Sequence, residues 1–94
     1  MYKEYNLKEV SEEEIYLNEL TNSNNWYYLC TNCKLSEEIM EKFVDKLVFD
    51  SITMNQKLSE KFIDKYYDRF SWNYIAIFQP LSEPFIAKHS NRIN

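Results

Sequence analysis

Ninety-four residues, 45% hydrophobic and 17% aromatic, make one small domain with a ring-rich core and are too apolar for a disordered chain. Glycine is absent and proline occurs twice, which excludes glycine-rich phosphate-cradling loops and argues against a closed barrel or hairpin-rich sheet. The net charge of −4 argues against direct binding of nucleic acid, which needs a basic surface.

The first stretch, MYKEYNLKEV, has no apolar signal core, and no run reaches the roughly 18 apolar residues of a transmembrane helix, so a soluble, cytoplasmic protein without membrane contact is expected. The charge imbalance lies here. Glu4, Glu9, Glu12, Glu13, Glu14 and Glu19 face only Lys3 and Lys8 within residues 1–20, whereas the rest of the chain balances. Such a cluster reads either as a solvated face or as a surface for a basic partner. Residues 1–11 are expected to cover one end of the fold.

Beyond that segment the sequence recurs. LSEEIMEKF at Leu35, LSEKFIDKY at Leu58 and LSEPFIAKH at Leu81 are spaced by 23 residues, and the same interval links Trp26, Phe49 and Trp72. The chain thus divides into units 12–34, 35–57 and 58–80, followed by a half-unit, 81–94, that serves as a C-terminal cap. Unit 12–34 is degenerate: it lacks the Leu-Ser start but keeps Glu14, Tyr16, Leu17 and Leu20 in register.

Each unit predicts two short helices. Ser36, Ser59 and Ser82 are N-caps. Glu37, Glu60 and Glu83 place carboxylates at the positive helix end, and Leu35–Met40, Leu58–Ile63 and Leu81–Ile86 form hydrophobic staples. Pro84 falls in a first turn, where proline is tolerated. Ile39, Met40, Phe43, Val44 and Leu47 trace one helical stripe, repeated by Phe62, Ile63, Tyr66, Tyr67 and Phe70. The second helix begins at Trp26, Phe49 or Trp72, with Asn25 and Ser71 as caps. Its inward positions are the aromatic and the residues three, four and seven further on: Leu29, Cys30 and Cys33; Ile52, Thr53 and Gln56; Ile75, Ala76 and Gln79. Helices this short cannot bury their apolar faces alone, so the expected fold is all-α, a small α-solenoid of about three and a half 23-residue helix-turn-helix repeats.

Leu58, Ser59, Glu60, Phe62 and Ile63, followed by Trp72, Tyr74, Ile75 and Gln79, resemble the short LSExFI…WxxISxxQ tandem repeats of giant-virus and bacteriophage proteins. The resemblance spans about residues 35–94 and weakly 12–34, and Phe49 and Ser51 depart from it. It implies a viral or mobile-element protein that meets host machinery inside the host cell; it names no activity.

No catalytic constellation is visible. Cys30 and Cys33 form a CxxC, but a zinc site needs more ligands and only His89 is available. Cys30 replaces Thr53 and Ala76 in register, so packing is the leading reading, with metal or redox chemistry as the alternative. His89 takes a stripe position and reads as a semi-buried or capping residue. Gln56 and Gln79 are expected to bond the turn that enters the next unit. No cofactor and no enzymatic activity are expected.

The outward positions of the second helices carry the functional expectation. Tyr27, Tyr28, Met54, Tyr74, Ile77 and Phe78 compose a row suited to an interface core, though Tyr28, Tyr74 and Phe78 read equally as packing between units. Outward positions also include Thr31, Asn32, Asp50, Ser51, Asn55 and Asn73; Tyr2 and Tyr5 are a second, smaller candidate surface. The leading reading is a non-enzymatic protein-binding module. In its sharper form it inhibits a host nucleic-acid-targeting defence, as an anti-CRISPR protein does, with Glu9, Glu12, Glu13 and Glu14 facing the basic channel of a nucleic-acid-binding effector. A structural or self-association element is the alternative; a cysteine-based metal or redox protein is the third reading.

Overall fold

The computed structural model describes residues 8–21 and 26–93, and they are mostly helical. A two-residue strand β1 (Lys8–Glu9) leads to α1 (Glu12–Thr21), α2 (Trp26–Asn32) and a second short strand, β2 (Cys33–Lys34). Then follow α3 (Glu37–Lys42), α4 (Phe49–Asn55), α5 (Glu60–Lys65), α6 (Trp72–Phe78) and α7 (Glu83–Lys88). The two strands pair in parallel, Lys8 with Cys33 and Glu9 with Lys34. Of the features expected from sequence, the Asn25 cap, the Tyr2 and Tyr5 surface, residues 1–7 of the covering segment and the side chains of Leu17 and Leu20 lie outside the described residues.

The serine starts are real caps. Ser36, Ser59 and Ser82 have extended backbones, and each hydroxyl accepts from the amide three residues on, Ile39 at 3.2 Å, Phe62 at 3.1 Å and Phe85 at 3.3 Å. Each satisfies a donor that the first helical turn leaves unpaired. Ser71 sits at the cap position of α6 but makes no such bond. α1 has a capping box that the 23-residue register hides. The Ser11 hydroxyl accepts from the Glu14 amide at 3.2 Å, and the Glu14 carboxylate takes the Ser11 amide at 3.4 Å.

The first helices are shorter than their apolar stripe implies. α3 stops at Lys42 and α5 at Lys65. Phe43 and Tyr66 leave helical geometry at φ near −113° and −112°, and the chain tightens into 3-10 turns, Val44–Lys46 and Tyr67–Arg69. Narrower winding at a helix C-terminus satisfies carbonyls the α-helix abandons. Leu47 and Phe70 therefore reach the core from beyond the helix, not from its last turn.

α2 packs on α4 and α4 on α6, and the described residues share one apolar core in a body of 43 × 25 × 18 Å. Rings join the second helices to the first helices that follow. Trp26 lies 5.2 Å from Phe43 and Trp72 lies 4.4 Å from His89, the same pair in register, while Phe49 meets Phe70 edge-on at 4.9 Å.

Polar contacts recur at the same step. The Gln56 side chain accepts from the Leu35 amide at 3.0 Å and donates to the Cys30 and Cys33 carbonyls at 3.1 and 2.6 Å. Gln79 repeats this with the Leu58 amide at 3.0 Å and the Thr53 and Gln56 carbonyls, both at 2.7 Å. The direction differs from the sequence expectation: each carboxamide grips the turn entering its own unit, not the next one. Glu37 holds both the amide and hydroxyl of Ser59, at 2.6 and 2.8 Å, and Glu60 holds those of Ser82 at 2.6 and 2.9 Å. Lys42 pairs with Glu12, Lys65 with Glu41 at 2.7 Å and Lys88 with Asp64 at 2.9 Å.

Gln79→Leu removes one carboxamide and leaves a buried amide and two carbonyls unpaired. The expected loss is about 2–4 kcal/mol, which for a chain of this size lowers the melting temperature by roughly 10–30 °C; a calorimetric melt checks it. Hydrogen bonds from Lys42, Lys65 and Lys88 hold the carboxyls of Glu12, Glu41 and Asp64 below their usual values. A lowered folded-state pKa gives stability that is present above the unfolded value and lost as pH falls through the folded one. The melting temperature is thus expected to fall below about pH 4, and less steeply in the E41Q/D64N double variant, as melts from pH 7 to pH 3 will show.

Candidate partner-binding surface

Helical geometry places the residues one, two and five beyond each ring on the side away from the core. Tyr27 and Tyr28 on α2 are 64% and 53% exposed, Met54 on α4 is 38% exposed, and Tyr74 and Ile77 on α6 are 39% and 57% exposed. These helices are neighbours, so the five residues share one outward layer. Phe78 is half-buried and lies edge-on to Tyr74 at 6.1 Å. Large apolar side chains gathered on neighbouring helices differ from the scattered exposure usual on a monomer surface.

Tyr67, expected inside with Phe62, Ile63, Tyr66 and Phe70, is 43% exposed because the chain leaves α-geometry at Tyr66, and two second-helix positions also depart from the expected pattern. Ser51, expected outside, is 7% exposed, because its short side chain does not extend past the neighbouring helices as Tyr28 and Tyr74 do. Ala76, expected inside, is exposed, whereas its counterparts Cys30 and Thr53 are fully buried. α4 covers α2 and α6 covers α4, whereas α7 meets α6 through Trp72, against Phe85 and His89, and Ala76 stays bare. Ile86 is bare too, 42% exposed, although Met40 and Ile63 in its register are fully buried.

The acidic group is divided. Glu9 and Glu13 are exposed, with Glu9 3.7 Å from Lys34. Glu12 is paired with Lys42 and Glu14 with Ser11, so these two carboxylates already have partners within the chain.

Cys30 and Cys33 are buried and are not joined in a disulfide. Burial pushes the Cys30 thiol up, which disfavours the thiolate that redox or metal chemistry needs. Among the described residues no group of three His, Cys, Asp or Glu side chains is placed to hold a metal ion.

His89 is 3% exposed at the C-cap of α7, stacked on Trp72. Its Nε2 lies 2.9 Å from Asp64 and its Nδ1 3.2 Å from the Arg92 guanidinium, which can only donate. Nδ1 therefore accepts and Nε2 donates. With both nitrogens engaged, the ring is a stacked cap on the last apolar layer. Beside it, Tyr67, Trp72, Asn73 and Arg92 line a shallow hollow of about 460 Å³, with the guanidinium 4.6 Å from the Tyr67 ring. No repeat position points to this hollow, since Arg92 falls after the last strong one.

The chain matches no family model, no curated protein and no solved structure.

The thiols supply a direct check on the interior assignment. A thiol reagent is expected to label neither cysteine at a measurable rate in the native protein and both on unfolding. Rapid native labelling of Cys30 would contradict its placement against α4.

Proposed function

We propose that the chain is a small α-solenoid, stacked from 23-residue helix pairs, and that it works as a non-enzymatic protein-binding module. The row Tyr27, Tyr28, Met54, Tyr74 and Ile77 is the observation that carries this reading. Tyrosine and methionine present large, adaptable contact area, and such residues dominate interface energetics. The recurring Gln and Glu contacts support the stacked architecture, because they tie consecutive units by the same atoms.

The resemblance to giant-virus and bacteriophage repeats adds a viral or mobile-element origin to the proposal, with a host protein as partner. Its sharper form is inhibition of a host nucleic-acid-targeting defence in the manner of an anti-CRISPR protein. Glu9 and Glu13 are the carboxylates exposed for a basic effector; Glu12 and Glu14 contribute less because of their internal partners. A structural, self-associating element is the second reading, favoured by the bare Ala76 and Ile86 at one end.

M54D/I77D places charge on the outward layer without touching the core. It is expected to keep the native melting temperature and to reduce retention of a captured host protein by about tenfold or more. E9K/E13K is expected to weaken the same capture chiefly at low salt. Undiminished capture by M54D/I77D would assign recognition to another surface. Light scattering that rises with concentration and collapses in that variant would favour self-association.

A further inference from the structure

Two three-point receptors in the chain are each filled by a carboxamide, and the same three backbone positions recur once more 23 residues on. The first consists of the Leu35 amide and the Cys30 and Cys33 carbonyls, occupied by the Gln56 carboxamide. The second consists of the Leu58 amide and the Thr53 and Gln56 carbonyls, occupied by Gln79. One further step of 23 residues gives the Leu81 amide and the Ala76 and Gln79 carbonyls. Among the described residues none of these three groups has a hydrogen-bond partner. The Ala76 carbonyl has no helical donor four residues on, because residue 80 is proline. Around the receptor the apolar residues are bare where their counterparts are covered: Ala76 and Ile86 are exposed, whereas Thr53 and Ile63 are fully buried.

We propose that this end of the molecule, the α6 face with the Leu81 amide and the Ala76 and Gln79 carbonyls, docks a helix of a partner protein that ends in a glutamine. The chemistry selects the side chain. Two carbonyls and one amide call for a group that donates twice and accepts once, which a carboxamide does. A carboxylate meets two carbonyls with repulsion, an ammonium leaves the amide unpaired, and an aliphatic side chain leaves all three unpaired. The helix itself is specified by the two internal examples: an isoleucine four residues before the glutamine and an aromatic seven before it, as in Phe49-Ile52-Gln56 and Trp72-Ile75-Gln79. A second copy of this chain is the weaker occupant. Its Gln56 and Gln79 are already engaged, and its first unit carries Cys33 in the glutamine position.

The proposal rests on the stacked-unit reading but not on the outward row. The probe is a synthetic peptide of residues 71–82, held helical by a side-chain staple between the exposed positions of Asn73 and Ile77. Added to the full chain, it is expected to bind saturably, with the Leu81 amide resonance moving downfield as its hydrogen bond forms. Gln79→Leu and Gln79→Glu in the peptide are each expected to weaken binding by about tenfold or more. Ala76→Glu in the protein, at an exposed position, is expected to do the same with no change in melting temperature. Failure of the stapled peptide to bind, equal binding of the leucine peptide, or saturation without a Leu81 shift would each overturn the assignment. Concentration-dependent dimers of the unliganded chain that Ala76→Glu dissolves would overturn it in favour of a second copy. Because Gln79→Leu within the protein tests the stacking separately, a fall in its melting temperature beside a silent peptide sinks the docking site alone.

Discussion

The structure depends on a carboxamide that ties three backbone groups of a turn into one buried knot. Gln56 and Gln79 are 3% and 4% exposed, and each closes the seam between the end of one unit and the start of its own. A helix of six or seven residues is below the length that is stable in isolation. It persists only where its apolar face meets another, and the connector between such helices carries polar backbone groups that burial strands. One side chain with two donors and an acceptor satisfies a donor and two acceptors at once, so the turn can be buried without water. A slip of one residue in either helix carries the carboxamide away from all three groups together and leaves them unpaired.

The carboxylates on the other side of the connectors act in the same sense with less at stake. Glu37 and Glu60 were legible in sequence as acidic residues at helix starts, and their position near the helix N-terminus is indeed favourable. Their larger role was not legible, because nothing in Leu-Ser-Glu says that the carboxylate of one unit reaches the N-cap serine of the next. The hydroxyls of Ser59 and Ser82 thereby both accept from their own helices and donate to the preceding unit. The caps become joints as well as helix starts. The Lys65–Glu41 and Lys88–Asp64 pairs lie along the same seam but at the surface, where solvent and salt screen them.

Signals that act within one helix are legible in the sequence, and the departures from them have a common physical cause. Ser36, Ser59 and Ser82 cap as their chemistry dictates, and the ring positions Trp26 and Trp72 are buried as helical periodicity implies. Periodicity could not show where α-geometry gives way to 3-10 winding, because Leu47 and Phe70 are buried under either continuation. Nor could it separate a residue with a neighbour beyond it from one without. Thr53 and Ala76, or Ile63 and Ile86, occupy equivalent positions and differ only in what lies next to them. The acidic residues form one group in the sequence, yet Glu14 belongs to a local capping box with Ser11, and Lys42 engages Glu12, a pairing that only three-dimensional proximity reveals. The exposed row on α2, α4 and α6 was legible because it needs only helical phase.

The two layers of helices differ at α6 and α7. In the layer of first helices the apolar column Phe43, Tyr66 passes to His89, whose ring stacks on Trp72 while its nitrogens turn to Asp64 and Arg92. A stacked ring with a polar rim closes a core at low cost, since it keeps its apolar face inside and its hydrogen-bonding atoms satisfied. Among the described residues the second-helix layer has no comparable closure. Ala76 remains exposed near a proline that lacks a backbone donor. The first-helix column thus passes from Phe43 and Tyr66 to a polar ring at the equivalent position, whereas Ala76 keeps an apolar side chain at a position where Cys30 and Thr53 are covered.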